Sequence, residues 1–275
     1  MDGRPAADGK QMADGARADR TDRVLIEAVC CSVDDCVEAA AAGVDRIELC
    51  ASLWVGGLTP SLGTLIESRA RVDLPLLVMM RPRAGGFCYT AAGFATLLRD
   101  VELACAHGAA GVVFGVLTAD GSVDRARAAD IVALARAAGK ETVFHRAFDV
   151  VPDPRSALDA LIDLGVTRVL TSGRLPTALE GAPLIRELMA QAADRIEILP
   201  GGGIREANAA AVVQATGARQ IHLGPFTPRP DRSGRHNPTI TFSGQTPPPE
   251  GEYPLTDGPA LARVRAALDR PASAS

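Results

Sequence analysis

Gly111-Val112-Val113-Phe114-Gly115-Val116, then Val123–Ala138, then Thr142-Val143-Phe144-His145-Arg146 decide how this chain folds. The first and third stretches are short and rich in β-branched and aromatic residues, as strands are. The middle stretch is long enough for a helix and is closed by Gly139, a residue suited to a helix end. The same strand–helix–strand alternation extends in both directions. Toward the N-terminus it reads strand Val24–Val29, helix Val33–Ala42 capped by Ser32, strand Asp45–Leu49, helix Leu62–Arg71 after Pro60-Ser61, strand Leu76–Arg81 and helix Ala91–Ala106. Toward the C-terminus it reads helix Pro154–Leu164, strand Arg168–Ser172, helix Ala182–Ala192, strand Ile196–Pro200, helix Arg205–Gln214 and strand Gln220–Gly224. Eight evenly spaced strands separated by helices predict a parallel sheet with covered faces. Units of this length favour a closed TIM (β/α)8 barrel over an open doubly wound sheet, and the 275 residues suffice for one such core.

The barrel domain is expected over residues 23–270. Residues 1–22 alternate Ala, Gly, Asp and Arg without periodicity and read as a disordered tail, and 271–275 as a frayed end. A stretch from Arg229 to Pro254, rich in Pro, Gly, Ser and Thr, reads as a long loop over the mouth, and Leu261–Leu268 as a last outer helix. The net charge of −4 supplies no basic field, which argues against a nucleic-acid partner. No apolar stretch has the length of a membrane span, and the first residues lack the apolar core of a secretory signal, so a cytoplasmic protein is expected. The six cysteines form no C-x-x-C pair and no disulfide framework. Lysine occurs only at Lys10 and Lys140, and Lys140 precedes strand five at the wrong end of the barrel for Schiff-base chemistry.

In a parallel barrel the carboxyl ends of the strands open onto one face, where such proteins keep their chemistry. Glu27, Glu48, Arg81, Arg83, His145 and His222 all stand at or near such ends. Two readings are open. The groups form an ion-pair network closing the barrel, with Glu48 pairing Arg81 or Arg83, or they form a site for a small anion. On the second reading Glu27, Glu48, His145 and Asp149 are the catalytic candidates. Arg81, Arg83, Arg146, Ser172, Gly173, Gly201, Gly202, Gly203 and His222 are the anion- or substrate-binding candidates. The run Pro200-Gly201-Gly202-Gly203 brings backbone N–H groups to the corner where many barrels hold a phosphate. A two-imidazole, one-carboxylate metal set of Glu48, His145 and His222 is a further option. Trp54, after strand two, reads as a lid or as the anchor of a homodimer interface.

Five strings in order resemble one family. Asp45-Arg46-Ile47-Glu48-Leu49-Cys50, Gly56-Gly57-Leu58-Thr59-Pro60-Ser61, Arg81-Pro82-Arg83, Thr142–Asp149 and Arg168–Gly173 are similar to the CutC family, called copper homeostasis proteins. The resemblance runs from about Leu25 to His222. It implies a TIM barrel, a cytosolic location and copper(I) as the bound ion, with no assigned reaction. Cysteines near the ends of strands one and two are the family's proposed ligands. Cys50 matches the second, whereas the first falls on Val29. Cys30 and Cys31 follow, and Cys31 shares the Val29 side of an extended strand, so the implied metal candidates are Cys50, Cys30 and Cys31. The chain also departs from the family at Gly86, where an aspartate is frequent, and at Leu223-Gly224-Pro225.

Overall fold

The structure, a computed structural model, describes residues 23–237, 239–240 and 251–269. The expected tail 1–22, the end 271–275 and part of the expected loop 229–254 lie outside the described residues. Eight parallel strands form the barrel: β1 Leu25–Cys30, β2 Arg46–Leu49, β3 Leu76–Met80, β4 Gly111–Phe114, β5 Glu141–Phe144, β6 Arg168–Thr171, β7 Glu197–Pro200 and β8 Gln220–Leu223. Each pairs with its sequence neighbour, β8 pairs β1, and a parallel bridge between Gly201 and His222 joins the β7 and β8 ends. Helices α1 Val33–Ala41, α2 Leu62–Arg69, α3 Ala91–Ala106, α4 Arg125–Ala137, α5 Pro154–Leu164, α6 Ala182–Ala192 and α7 Ala209–Thr216 alternate with them.

Period-two alternation sorts the strand residues into two cores. Val29, Cys50, Leu77, Met79, Val113, Val143, Leu170 and Leu199 fill the barrel interior. Ile26, Ala28, Cys30, Ile47, Leu49, Val78, Phe114, Phe144 and Val169 pack outward with the helix faces. Helix starts follow local chemistry. The Ser32 hydroxyl accepts from Asp35 N, the Ser61 hydroxyl accepts from Thr64 N, and Asp153 caps a helix with Pro154 in its first turn.

Three boundaries shift because side chains intercept the backbone. Strand five stops at Phe144, since His145 Nδ1 accepts from Ala147 N at 3.0 Å and caps the 3-10 turn Arg146–Val150. Helix α4 starts at Arg125, not Val123, because Val123 is held in a bridge with Leu117 and Asp124 takes the cap. Helix α7 starts at Ala209, not Arg205. Asn208 accepts from Arg205 N at 2.8 Å and donates to the Gly203 carbonyl at 2.9 Å, so a turn replaces the first helical residues.

The expected loop over the mouth is corrected at both ends. Phe226–Pro230 (β9) and Glu252–Thr256 (β10) pair antiparallel as a ribbon. Two-stranded edges tolerate the prolines there. The ribbon is tied to the α1 side, where Thr256 N donates to Asp35 Oδ1 at 2.6 Å while Asp35 Oδ2 accepts from Cys31 N at 2.9 Å. Helix α8, Gly258–Leu268, begins three residues earlier than expected behind its Asp257 cap.

One inward glycine shapes the mouth directly. A Cβ on Gly115 would lie 2.2 Å from His145 Cε1. Gly115→Ala should therefore push the imidazole aside and cost about 1–3 kcal/mol through overpacking. A urea unfolding curve identical to wild type would contradict this contact.

Candidate functional site

The barrel register sets the height of every inward side chain. Glu27 lies opposite Arg46 on one side and opposite His222 on the other. Glu27 is buried, and Arg46 Nε donates to its Oε2 at 2.5 Å while His222 Nδ1–H donates to its Oε1 at 2.8 Å. Burial alone would raise the Glu27 pKa. The Arg46 charge and the His222 hydrogen bond and charge prevail and hold it down at about 2. The chain of contacts continues downward. Arg46 Nη2 donates to Gln220 Oε1 at 3.0 Å, Gln220 Nε2 to Glu197 Oε2 at 3.0 Å, and Arg168 Nε to the same oxygen at 2.6 Å. Arg168 also reaches Glu141 at 3.2 Å. An ion-pair network does thread the barrel, but it runs below the mouth.

Above it opens a cavity of about 440 Å³ lined by Glu48, Leu53, Gly56, Met79, Arg81, Phe87, His145, Arg146, Ala147, Leu170, Gly202–Arg205 and His222–Gly224. Glu48 Oε2, Arg81 Nε and His145 Nε2 are buried without a hydrogen-bond partner among the described residues. Burial pushes Glu48 up to about 7, against the His222 charge. Burial and then the Arg81 charge push His145 down to about 3, so its ring is neutral. Because His145 Nδ1 accepts from Ala147 N, the ring proton sits on Nε2. Burial would lower His222 as well, but the charges of Glu48 and Glu27 and the Glu27 hydrogen bond raise it.

The strand ends also collect sulfur. Carrying the pairing Val29↔Glu48 one inward step further brings Cys31 opposite Cys50, and Cys31 Sγ lies 3.6 Å from Cys50 Sγ. Carrying Glu48↔Leu77 onward places Met79 beside Cys50. Cys50 is buried and Cys31 partly exposed. The Cys31 hydrogen bond and burial both raise the Cys50 thiol pKa.

The CutC family model matches residues 24–226. The chain belongs to the CutC family. It is 49% identical over 227 residues to a family protein CutC of Treponema denticola, covering 82% of this chain and 92% of that one. It is 40% identical over 233 residues to the copper homeostasis protein cutC homolog of Homo sapiens, covering 85% of each. A crystal structure of a CutC protein from Streptococcus agalactiae superposes with a TM-score of 0.68 at 32% identity, covering 72% of this chain and 97% of that one. More distant barrels share the fold alone, among them an oxaloacetate acetylhydrolase with a TM-score of 0.55 at 14% identity.

Within this CutC barrel the candidates read from the sequence separate into groups. Glu27, Glu48, His222, His145, Arg81, Arg146, Gly202 and Gly203 meet at the cavity or directly beneath it. Among the described residues Arg81 pairs no carboxylate. Its Nη1 donates to the Val55 and Gly57 carbonyls at 2.7 and 2.9 Å, and its Nη2 to Gly85 at 2.7 Å. Arg83 is exposed, bonds the carbonyls of its own loop, and lies over Tyr89. The expected pairing of Glu48 with Arg81 or Arg83 is thus replaced by Glu27 with Arg46, because the register puts Arg46 at the height of Glu27.

Asp149 serves the backbone. It accepts from Thr171 Oγ1 at 2.5 Å, from Ser172 N at 3.1 Å and from Arg174 N at 3.2 Å, and Arg146 Nε donates to it at 2.8 Å. Ser172 and Gly173 belong to that clamp, Gly173 packing on the Gly181 backbone, and Gly201 packs against Leu170. Cys30 turns outward to Cys36 in the helix layer, away from Cys50. Trp54 is exposed and contributes nothing to the cavity wall.

The metal-spaced group among the described residues is Glu27, Glu48 and His222, with ligand atoms within 4.8 Å of one another; His145 is not part of it. Arg46 on Glu27 disfavours a second cation there. Sequence reading missed Arg46, Gln220, Arg168 and Glu197. The signal was present for two of them, since Arg46 and Gln220 stand two residues before Glu48 and His222 and so share their faces.

Among the described residues no helix is long and apolar enough to cross a membrane.

Proposed function

We propose that this CutC-family chain binds copper(I) as cargo in copper homeostasis, through the Cys31 and Cys50 thiolates. The observation that carries the reading is the 3.6 Å approach of the two sulfurs at the carboxyl ends of adjacent strands. The human relative's name, copper homeostasis protein cutC homolog, agrees with it. Soft sulfur ligands select copper(I) over hard ions, and low coordination numbers suit a two-thiol site. Cys31 supplies the half-buried entry side and Cys50 the buried side, with the Met79 thioether next in the row. Binding must displace the thiol protons, so affinity falls as pH falls. Cys31 stands on the same strand face as Val29, one step of the alternation higher, and takes the ligand role that the family resemblance places at Val29.

Anaerobic copper(I) titration against a competing chelator tests this. Cys31→Ser and Cys50→Ser should each abolish the tight-binding step, and Cys30→Ser should preserve it because Cys30 faces the helix layer. Met79→Leu should weaken binding less than either loss of thiolate. Unchanged binding by Cys50→Ser would overturn the assignment.

A further inference from the structure

Arg81 is a buried cation without a carboxylate partner among the described residues. Carbonyl oxygens occupy both of its terminal nitrogens, and they soften the charge without neutralising it. An uncompensated buried charge is costly, which makes the place a receptor for an anion. Three of its five N–H groups donate to these carbonyls, and Nε–H has no hydrogen-bond partner among the described residues. His145 presents a second unpartnered donor, Nε2–H, fixed in that tautomer by the Ala147 N–H on the other ring nitrogen. Phe87 lies over both groups, its ring centroid 5.0 Å from the His145 ring and 5.3 Å from Arg81 Cζ. A single aromatic side chain is therefore a neighbour of both groups. On the β2 wall of the same cavity, Glu48 Oε2 is the third buried polar atom without a partner. Three such atoms on one cavity are unusual in a folded protein, where buried polar groups are nearly always satisfied.

We propose that this cavity is a binding site for a small hydroxycarboxylate, its carboxylate held by Arg81 Nε–H and His145 Nε2–H and a hydroxyl meeting Glu48 Oε2. The proposal is independent of the copper reading and uses none of its sulfur ligands. Two donors match the two oxygens of a carboxylate, whereas a phosphate dianion offers three oxygens and a larger desolvation cost. A hydroxyl both donates and accepts, so its contact with Glu48 forms in either protonation state. Arg205 also lines the cavity and places further positive charge where the anion enters, whereas Arg146 is already paired with Asp149. The volume of about 440 Å³ suits a molecule of this size.

The test is calorimetry and thermal shift on the full chain with three matched pairs: lactate and propionate, malate and succinate, gluconate and hexanoate. Glycerol 3-phosphate and inorganic phosphate form a separate arm. At least one hydroxycarboxylate should bind and exceed its deoxy counterpart by about tenfold, the worth of one hydrogen bond to a buried group. Glu48→Leu should bring that ratio close to one without weakening the deoxy acid. His145→Leu should weaken both members of a pair by about tenfold. If His145→Leu does not fold, the ratio in Glu48→Leu carries the decision alone. The proposal is overturned if no carboxylate binds, if the phosphates bind more tightly, or if Glu48→Leu keeps the wild-type ratio.

Discussion

Replacing Glu27 with alanine should lower the free energy of unfolding by about 3–5 kcal/mol, the usual consequence of removing one partner from a buried ion pair. Glu27 is 1% exposed and its two oxygens serve Arg46 and His222. Its loss leaves the Arg46 guanidinium with only Gln220 and removes the acceptor that orients the His222 ring. A Glu27→Leu, Arg46→Met double variant should be closer to wild type than Glu27→Ala, because it removes the charges together and keeps the volume. Equilibrium urea unfolding measures both. A single variant that loses under 1 kcal/mol (roughly the worth of an exposed pair) would mean that this network does not hold the barrel together.

The acid limb of stability should be governed by His145. Its folded pKa lies at about 3 against an ordinary 6.5. Below 6.5 the unfolded chain takes up a proton that the folded chain refuses, so stability is fully present above about pH 6.5 and is lost as pH falls toward 3. The shift corresponds to a loss on the order of 5 kcal/mol. Glu27 acts in the same direction lower down, where its depressed pKa removes stability as pH falls from 4.5 toward 2. Glu48 and His222 act in the opposite sense. Raised pKa values make both lose stability as pH rises, Glu48 between 4.5 and about 7. His145→Gln cannot titrate, so its unfolding free energy should stop falling, or rise, as pH is lowered from 6.5 to 4.5. Parallel curves for wild type and His145→Gln across that interval would show that the imidazole is not neutral in the folded protein.

The barrel itself was legible in the sequence because its signals are local. The three helices Ala91–Ala106, Pro154–Leu164 and Ala182–Ala192 end where the sequence predicts, each bounded by cap or glycine chemistry within a few residues. Boundaries failed where a polar side chain within the expected element captured the backbone, as Asn208 does before α7. The β9–β10 ribbon was missed because its strands carry Pro228, Pro230 and Pro254, which read as breakers unless the edge position is known.

Parity along each strand is also local, and it placed Cys31 with Val29. The sequence alone thus determined the strands, the parity of their side chains and the end at which Glu27, Glu48, Arg81, His145 and His222 gather. It could not determine their heights relative to one another, since the stagger between neighbouring strands is set by barrel closure and by helix packing over the whole chain. Only the tertiary structure therefore decided that Glu27 meets Arg46 and His222, that Cys31 meets Cys50, and that Arg81 is left with carbonyls instead of a carboxylate.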